Sequence, residues 1–302
     1  MADLNDGGAY AVMGIGNVYR VIKTTEAYYA QFLQDYQRGY SDGSEAVHTT
    51  IQSALDATVE GRNDYVVVQP SDTDYDLTAA LTMSKKCVHL VCTGGFGYGM
   101  GATNACRLHQ TTDGQAVIAV SDSAVEIAGF YMKNYQNHSA ITIANGSYGL
   151  NIHNNTIVMN CTSTTSDPMV AGTGDGGGWG SIERNWIISQ SGDDYTIASI
   201  ITIGAGATGA RVCDNEITIG DGATATVGIS NAAIKGMTRG NTFGGAGADC
   251  TWTHCVAVNG DGNAIGNRGV VADHVLVTGG TNDKSFSDNM NGVNGGLVDD
   301  QD

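Results

Sequence analysis

Basic residues are scarce in this chain. Fourteen lysines and arginines stand against 31 aspartates and glutamates, a formal net charge of −17. The phosphate term that drives polyanion binding would be repulsive, so unaided nucleic-acid binding is excluded. The excess acid reads as a solvated surface. Long apolar runs are missing too. No stretch of about 18 apolar residues occurs, so no membrane insertion is expected. The opening "MADLNDGGAY" has neither the basic region nor the apolar core of a secretory leader. Seven cysteines (87, 92, 106, 161, 213, 250 and 255) never fall at CxxC spacing. That odd count without the spacing argues against a zinc site or a disulfide framework; all seven are expected to be reduced, in a chain folded in a cytoplasm. Histidines 48, 89, 109, 138, 153, 254 and 274 form no HxxxH or HxH pair, so each reads as a lone side chain rather than a metal ligand. "GGFGYGMG" (94–101) lacks the Lys-Ser/Thr of a phosphate loop. Asp175, alone among the glycines of "GTGDGGGWG" (172–180), is one carboxylate where a calcium cage needs several. No cofactor and no metal is expected.

Proline is nearly absent, with only Pro70 and Pro168, whereas glycine is abundant at 43 residues. A hydrophobic fraction of 41% separates the chain from disordered glycine-rich sequences. Glycine with many Asn, Thr, Ile and Val reads as short strands joined by tight turns. From residue 116 a repeat takes over. "LNIHNNTIV", "SIERNWII" and "RVCDNEIT" share an asparagine between two apolar stripes. Aligning Gly129, Asn155, Asn185, Asn215, Asn241, Asn267 and Asn289 gives steps of 26, 30, 30, 26, 26 and 22. A second strand precedes several of these asparagines by 14 residues, as Ile141 precedes Asn155 and Ile201 precedes Asn215.

Three short strands per period of 22–30 residues describe a coil of a parallel β-helix. One coil has no core of its own. Coils stacked at about 4.8 Å pair every strand above and below and align their inward Ile and Val. The asparagines are expected at the corners, where Asn tolerates a left-handed backbone and where stacked carboxamides hydrogen-bond from coil to coil. About nine coils fit into 60–296, a rod of roughly 40–45 Å.

The fold expected is all-β, a right-handed parallel β-helix over residues 45–296. A short helical cap at 45–59 would start from Ser44, with Val47, Ile51, Ala54, Leu55 and Thr58 at helical spacing. Residues 1–44 do not match the repeat and read as a separate N-terminal arm. It would hold a strand at Val18–Ile22 and a helix capped by Thr24 or Thr25 with Tyr28, Phe32, Leu33 and Tyr36 on one face. Residues 297–302 form an acidic tail.

The repeat as it stands in Ile152–Ile157, Ile182–Ile187 and Val212–Ile217 resembles the right-handed β-helix of the pectate-lyase-like superfamily, which also supplies phage tailspikes. The stretch "HTTIQSALDATVEGRNDYVVVQP" (48–70), in an acidic chain without a leader, resembles structural proteins of tailed bacteriophages. The resemblance covers about 240 residues. It is specific for fold, not for activity. Polygalacturonase-type relatives carry Asn-Thr-Asp, Asp-Asp, Gly-His-Gly and Arg-Ile-Lys motifs in order; here Asp193-Asp194 alone matches. Lyase-type relatives need several acids for calcium and an arginine base, and no corresponding set is found.

Three readings follow. The first is a non-enzymatic structural protein of a virion, a capsid decoration, fibre or spike, held to a capsid or tail protein by residues 1–44. It would meet copies of itself as a homotrimer. The second is a polysaccharide-degrading lyase or glycoside hydrolase. Carboxylates on successive coils can approach within the 5–9 Å that hydrolysis needs, and Glu183 with Asp214 is the candidate pair. Asp122, Glu126 and Glu216 are the other acids of these coils. The third is a glycan-binding module using Trp179 and Trp252, placed in loops, while Trp186 sits inside the repeat.

Overall fold

The computed structural model describes residues 16–94, 105–135, 138–160, 167–190, 195–245, 250–258 and 262–269, with short strands at 275–278, 286–287 and 290–291. Three parallel sheets of eleven, nine and eight strands run the length of the molecule. Apart from the N-terminal pair Val18–Val21 and Val47–His48, strands adjacent in a sheet are not consecutive in sequence, because the chain visits the other two sheets before returning one rung higher. The result is a right-handed β-solenoid of about eight turns, one fewer than length alone suggested.

The registers explain why the sequence repeats its apolar stripes. Leu90, Ile127, Ile152, Ile182 and Val212 pair rung to rung in the eleven-stranded sheet. Leu108, Met132, Ile157, Ile187, Ile217 and Phe243 form the matching file of the nine-stranded sheet. Leu81, Ile118, Ile141, Val170, Ile201, Ile229 and Val256 form that of the eight-stranded sheet. All are buried. Each such side chain contributes about 1.5–3 kcal/mol by leaving water, and the three files meet in one core.

The corner asparagines do something other than bend the chain. The left-handed residue is the one before each: Asn154, Arg184, Asp214, Gly240 and Gly266, preceded in the file by Gly129, with φ between 54° and 84°. The expected alignment is therefore corrected by one residue at its start. Gly129 stands below Asn154, and Phe130 occupies the rung position of the first ladder asparagine. Asn155, Asn185, Asn215, Asn241 and Asn267 are buried and linked head to tail. The Asn155 side-chain amide donates to Asn185 Oδ1 at 3.1 Å, Asn185 to Asn215 at 3.0 Å, Asn215 to Asn241 at 2.9 Å and Asn241 to Asn267 at 3.0 Å. Each Oδ1 also accepts the backbone N–H of the asparagine one rung earlier. Each Nδ2 donates to a strand carbonyl as well, for example Asn185 to Ile152. Asparagine offers one acceptor and two donors in a single planar group, which is what this dry corner demands. Asn289 lies outside the described residues.

A second corner file is left-handed too. Asn63, Cys87, Ala124, Gly149, Trp179, Gly209 and Lys235 stack with φ of 54–69°, one or two residues before the strands of the eleven-stranded sheet.

At the N-terminal end the helix α2 (Ile51–Ala57) buries Ile51, Ala54 and Leu55 against the first rungs. It is shorter than expected, and its cap is Thr50, whose Oγ1 accepts the Ser53 N–H at 3.2 Å. Val47–His48, expected as its first turn, is a strand instead. The earlier helix α1 (Tyr29–Tyr36) buries Phe32 and has no side-chain cap, so Thr24 and Thr25 do not serve it. Val18–Val21 lies in the eleven-stranded sheet between Val47–His48 and Asp64–Val68. The segment read as an arm thus contributes a rung to the solenoid from residue 18 onward. Cys92 and Cys106 form a disulfide, which corrects the expectation of seven reduced thiols. Cys92 ends a strand of one sheet and Cys106 opens a strand of the next. Cys87, Cys213 and Cys255 are free thiols, Cys161 lies outside the described residues, and burial pushes the Cys255 thiol up to about 12.

Candidate functional site

In a packed solenoid the outward side chains carry any chemistry, because alternate residues of each strand leave the core. On the eleven-stranded sheet one outward file runs His89, Glu126, Asn151, Ser181, Arg211 and Met237. The neighbouring file runs Ala128, His153, Glu183, Cys213 and Arg239.

Glu126 is gripped from two rungs. Its Oε2 meets His89 Nδ1 at 2.6 Å, and its Oε1 meets His153 Nε2 at 2.8 Å. His89 is itself stacked on Tyr65, with ring centroids 4.2 Å apart and planes 10° from parallel. Its Nε2 faces Asn63 Oδ1 at 2.7 Å. The hydrogen bond from His89 and then that from His153 outweigh partial burial and bring the Glu126 carboxyl down to about 2. The lone-histidine reading is thus corrected for His89 and His153. His109 and His138 also sit against acids, Asp76 and Asp167. Residues 89, 126 and 153 share no motif spacing; they meet because the solenoid register stacks them.

The two acids of the candidate pair are offset by one residue on successive rungs. Glu183 stands level with Cys213, not Asp214. Its Oε1 is held by Arg184 Nη2 at 2.8 Å. Asp214 is one residue further on, in the left-handed bend, where it stacks above Arg184. Asp193-Asp194 lies outside the described residues.

Asp74, Asp76 and His109 approach closely enough to share a cation on the nine-stranded sheet. The surroundings do not fit one. Asp74 already faces Arg107 Nε at 2.8 Å and Lys133 Nζ at 3.0 Å, so the place a metal would take is ringed by positive charge. The group is an ion-pair network.

The tryptophans separate sharply. Trp252 is 0% exposed. It lies inside the strand Thr251–Val258 and packs edge-on against Phe243, with centroids 5.5 Å apart. That corrects its expected role as a loop contact. Trp186 is half-buried. Trp179 is 69% exposed at the second corner. Asp175, in the glycine-rich turn before it, fastens the turn below: its carboxylate accepts the Gly146 N–H at 2.6 Å and the Tyr148 hydroxyl. These bonds, the one from Tyr148 first, lower the pKa of the Asp175 carboxyl.

No family model, curated protein or solved structure matches this chain. Among the described residues, no helix is long and apolar enough to cross a membrane.

Proposed function

We propose that the chain is a non-enzymatic structural protein, a rigid β-solenoid of the kind that tailed-phage virions carry, related in fold to the pectate-lyase-like superfamily. One observation carries the reading. Three carboxylates of the open sheets are each engaged by a basic or imidazole partner: Glu183 by Arg184, Glu126 by His89 and His153, and Asp74 by Arg107 and Lys133. Such a surface is suited to holding shape rather than turning over substrate.

The outward file of the eight-stranded sheet supports assembly with copies of itself. It reads Thr82, Ala119, Thr142, Ala171, Thr202, Ser230 and Ala257. These small uncharged side chains form a flat strip that neighbours around a threefold axis can approach closely. Residues 1–44 remain the proposed attachment to a capsid or tail protein, and the virion the proposed location.

Two measurements test this. Light scattering after size exclusion at micromolar concentration is expected to give three times the 31.3 kDa chain mass; a monomer contradicts the trimer. Assays for reducing ends and unsaturated products on a polysaccharide panel are expected to stay at background. Release that disappears in Glu183→Ala or Asp214→Ala would establish the hydrolase or lyase reading instead.

A further inference from the structure

We infer that the Cys92–Cys106 bond is a redox-operated clasp: closed, it fastens a corner that a long insertion interrupts, and opened by a small thiol it lets that corner loosen while the rest of the solenoid stays folded. The inference goes beyond the structural role and does not depend on where the protein resides.

The corner between the eleven- and nine-stranded sheets is short in the upper rungs. One residue, Gly129, separates Glu126–Ala128 from Phe130–Asn134, and two separate the strands of each of the next five rungs, as Asn154 and Asn155 do. One rung below Gly129 the chain departs from this pattern. Thirteen residues, 93–105, intervene between Val88–Cys92 and Cys106–Gln110. The register is nevertheless kept on both sides. Val91 pairs with Ala128 and Cys106 with Phe130, so the two strand ends stand beneath the ends of a one-residue bend. Holding them there through a thirteen-residue connection costs more closure entropy than a one-residue bend does. The disulfide supplies the missing link, with Cα atoms 6.0 Å apart.

The amide ladder cannot supply it. Asn155 Oδ1 accepts the Phe130 N–H at 3.1 Å, but Phe130 has no carboxamide to pass the chain of bonds downward. The ladder therefore ends one rung above Cys106. Gly129 lies over Cys92, and a Cβ there would be 3.4 Å from Cys92 Cβ and from its carbonyl oxygen. The clasp thus occupies the foot of the corner file, where the asparagines stop.

The bond is placed to be switched as well as kept. Cys106 is 0% exposed, whereas Cys92 is half-buried and is followed by exposed Thr93. A small thiolate reaches Cys92 Sγ in preference to Cys106 Sγ. Its attack breaks the S–S bond, and Cys106 leaves as a thiolate that takes up a proton. A second small thiolate then attacks the small-molecule sulfur of the mixed disulfide and releases Cys92, which is protonated in turn. Two electrons pass to the protein, and two small thiols become one disulfide. Closing runs these steps in reverse, with a small-molecule disulfide such as oxidised glutathione as the oxidant. The free thiols described above do not compete. Cys87 lies five residues before Cys92, at the far end of the same strand, about 16 Å away, and Cys213 and Cys255 are buried.

The full-length chain would be equilibrated with oxidised glutathione or with dithiothreitol, alkylated and mapped by mass spectrometry, and each form followed by hydrogen exchange. Cys92 and Cys106 are expected to be joined in the first and alkylated in the second, with the same far-ultraviolet circular dichroism. Reduction is expected to speed exchange at least about tenfold in Val88–Cys92 and Cys106–Gln110. Trp186–Gln190, three rungs up the nine-stranded sheet, is expected to exchange at the same rate in both forms. Oxidised glutathione should restore the slow rates. Cys92→Ser with Cys106→Ser is expected to exchange like the reduced chain in both buffers. Failure of the bond to form in oxidised glutathione overturns the inference. So does equal exchange in the two forms, or loss of structure along the whole rod on reduction. A double variant that still responds to dithiothreitol as the unaltered chain does overturns it too, because the effect then belongs to another thiol.

Discussion

A buried carboxamide is worth keeping only if every polar atom has a partner. Asn215 shows what that requirement does. Its Oδ1 accepts both the N–H and the side-chain amide of Asn185, and its Nδ2 donates to Ile182 O and Asn241 Oδ1. Asn215→Ala would strand two buried donors of Asn185, at about 1–3 kcal/mol each. We therefore expect about 3 kcal/mol or more lost in urea unfolding. A loss below about 1 kcal/mol would show that water replaces the ladder. Trp252→Ala should cost about 3–5 kcal/mol by opening a cavity beside Phe243, measured the same way; a near-neutral result would contradict its burial. The ladder was legible in the sequence because an amide file needs the same residue at each rung. The backbone reason was not, since the left-handed position takes Asn, Arg, Asp and Gly in turn and leaves no constant letter. Trp252 was misread because the Gly and Asp before it in the sequence suggest a loop, whereas it lies inside the strand Thr251–Val258.

Strands stacked in register create clusters that no strand contains. His89, Glu126 and His153 come from three successive rungs, 37 and 27 residues apart. No local pattern announces them; only the register does. Once the rungs are aligned, the cluster follows at once, which is why the fold was readable while the site was not. The same holds for Asp74 with Arg107 and Lys133. A pH dependence belongs to this scale. The Glu126 carboxyl titrates at about 2 in the folded chain against an ordinary 4.5. The unfolded chain therefore binds the proton first as pH falls, and stability rises with pH across that window. The contribution is complete above pH about 4.5 and lost as pH falls toward about 2. In urea unfolding, Glu126→Gln should be less stable than the unaltered chain at neutral pH, with the difference narrowing through that window. A difference that stays constant with pH would mean that the imidazole grip contributes nothing. The side chain is partly exposed, so solvent screening keeps the effect modest.

At the scale of the whole molecule, stability is close to a sum of rungs and of the contacts between them. No rung has a core alone, so the N-terminal one needs cover. The helix α2 supplies it, with Val47–His48 and Val18–Val21 paired at that edge. This also explains why the first residues do not resemble the repeat: a cap meets the stack on one side and solvent on the other. The net charge of −17 keeps such rods apart in solution except where an uncharged strip, such as the outer file of the eight-stranded sheet, lets them meet. The clusters and strips of the solenoid surface exist only because residues a whole turn apart lie directly above one another. The most direct test is thiol cross-linking of paired cysteine substitutions with a short reagent such as dibromobimane, the products being mapped by mass spectrometry. Asn151→Cys with Ser181→Cys, which face outward in register, should be bridged rapidly and in high yield. Ile152→Cys with Ser181→Cys, one residue out of step and on opposite faces of the sheet, should not be. Bridging of the second pair in preference to the first would contradict the register and the site built on it.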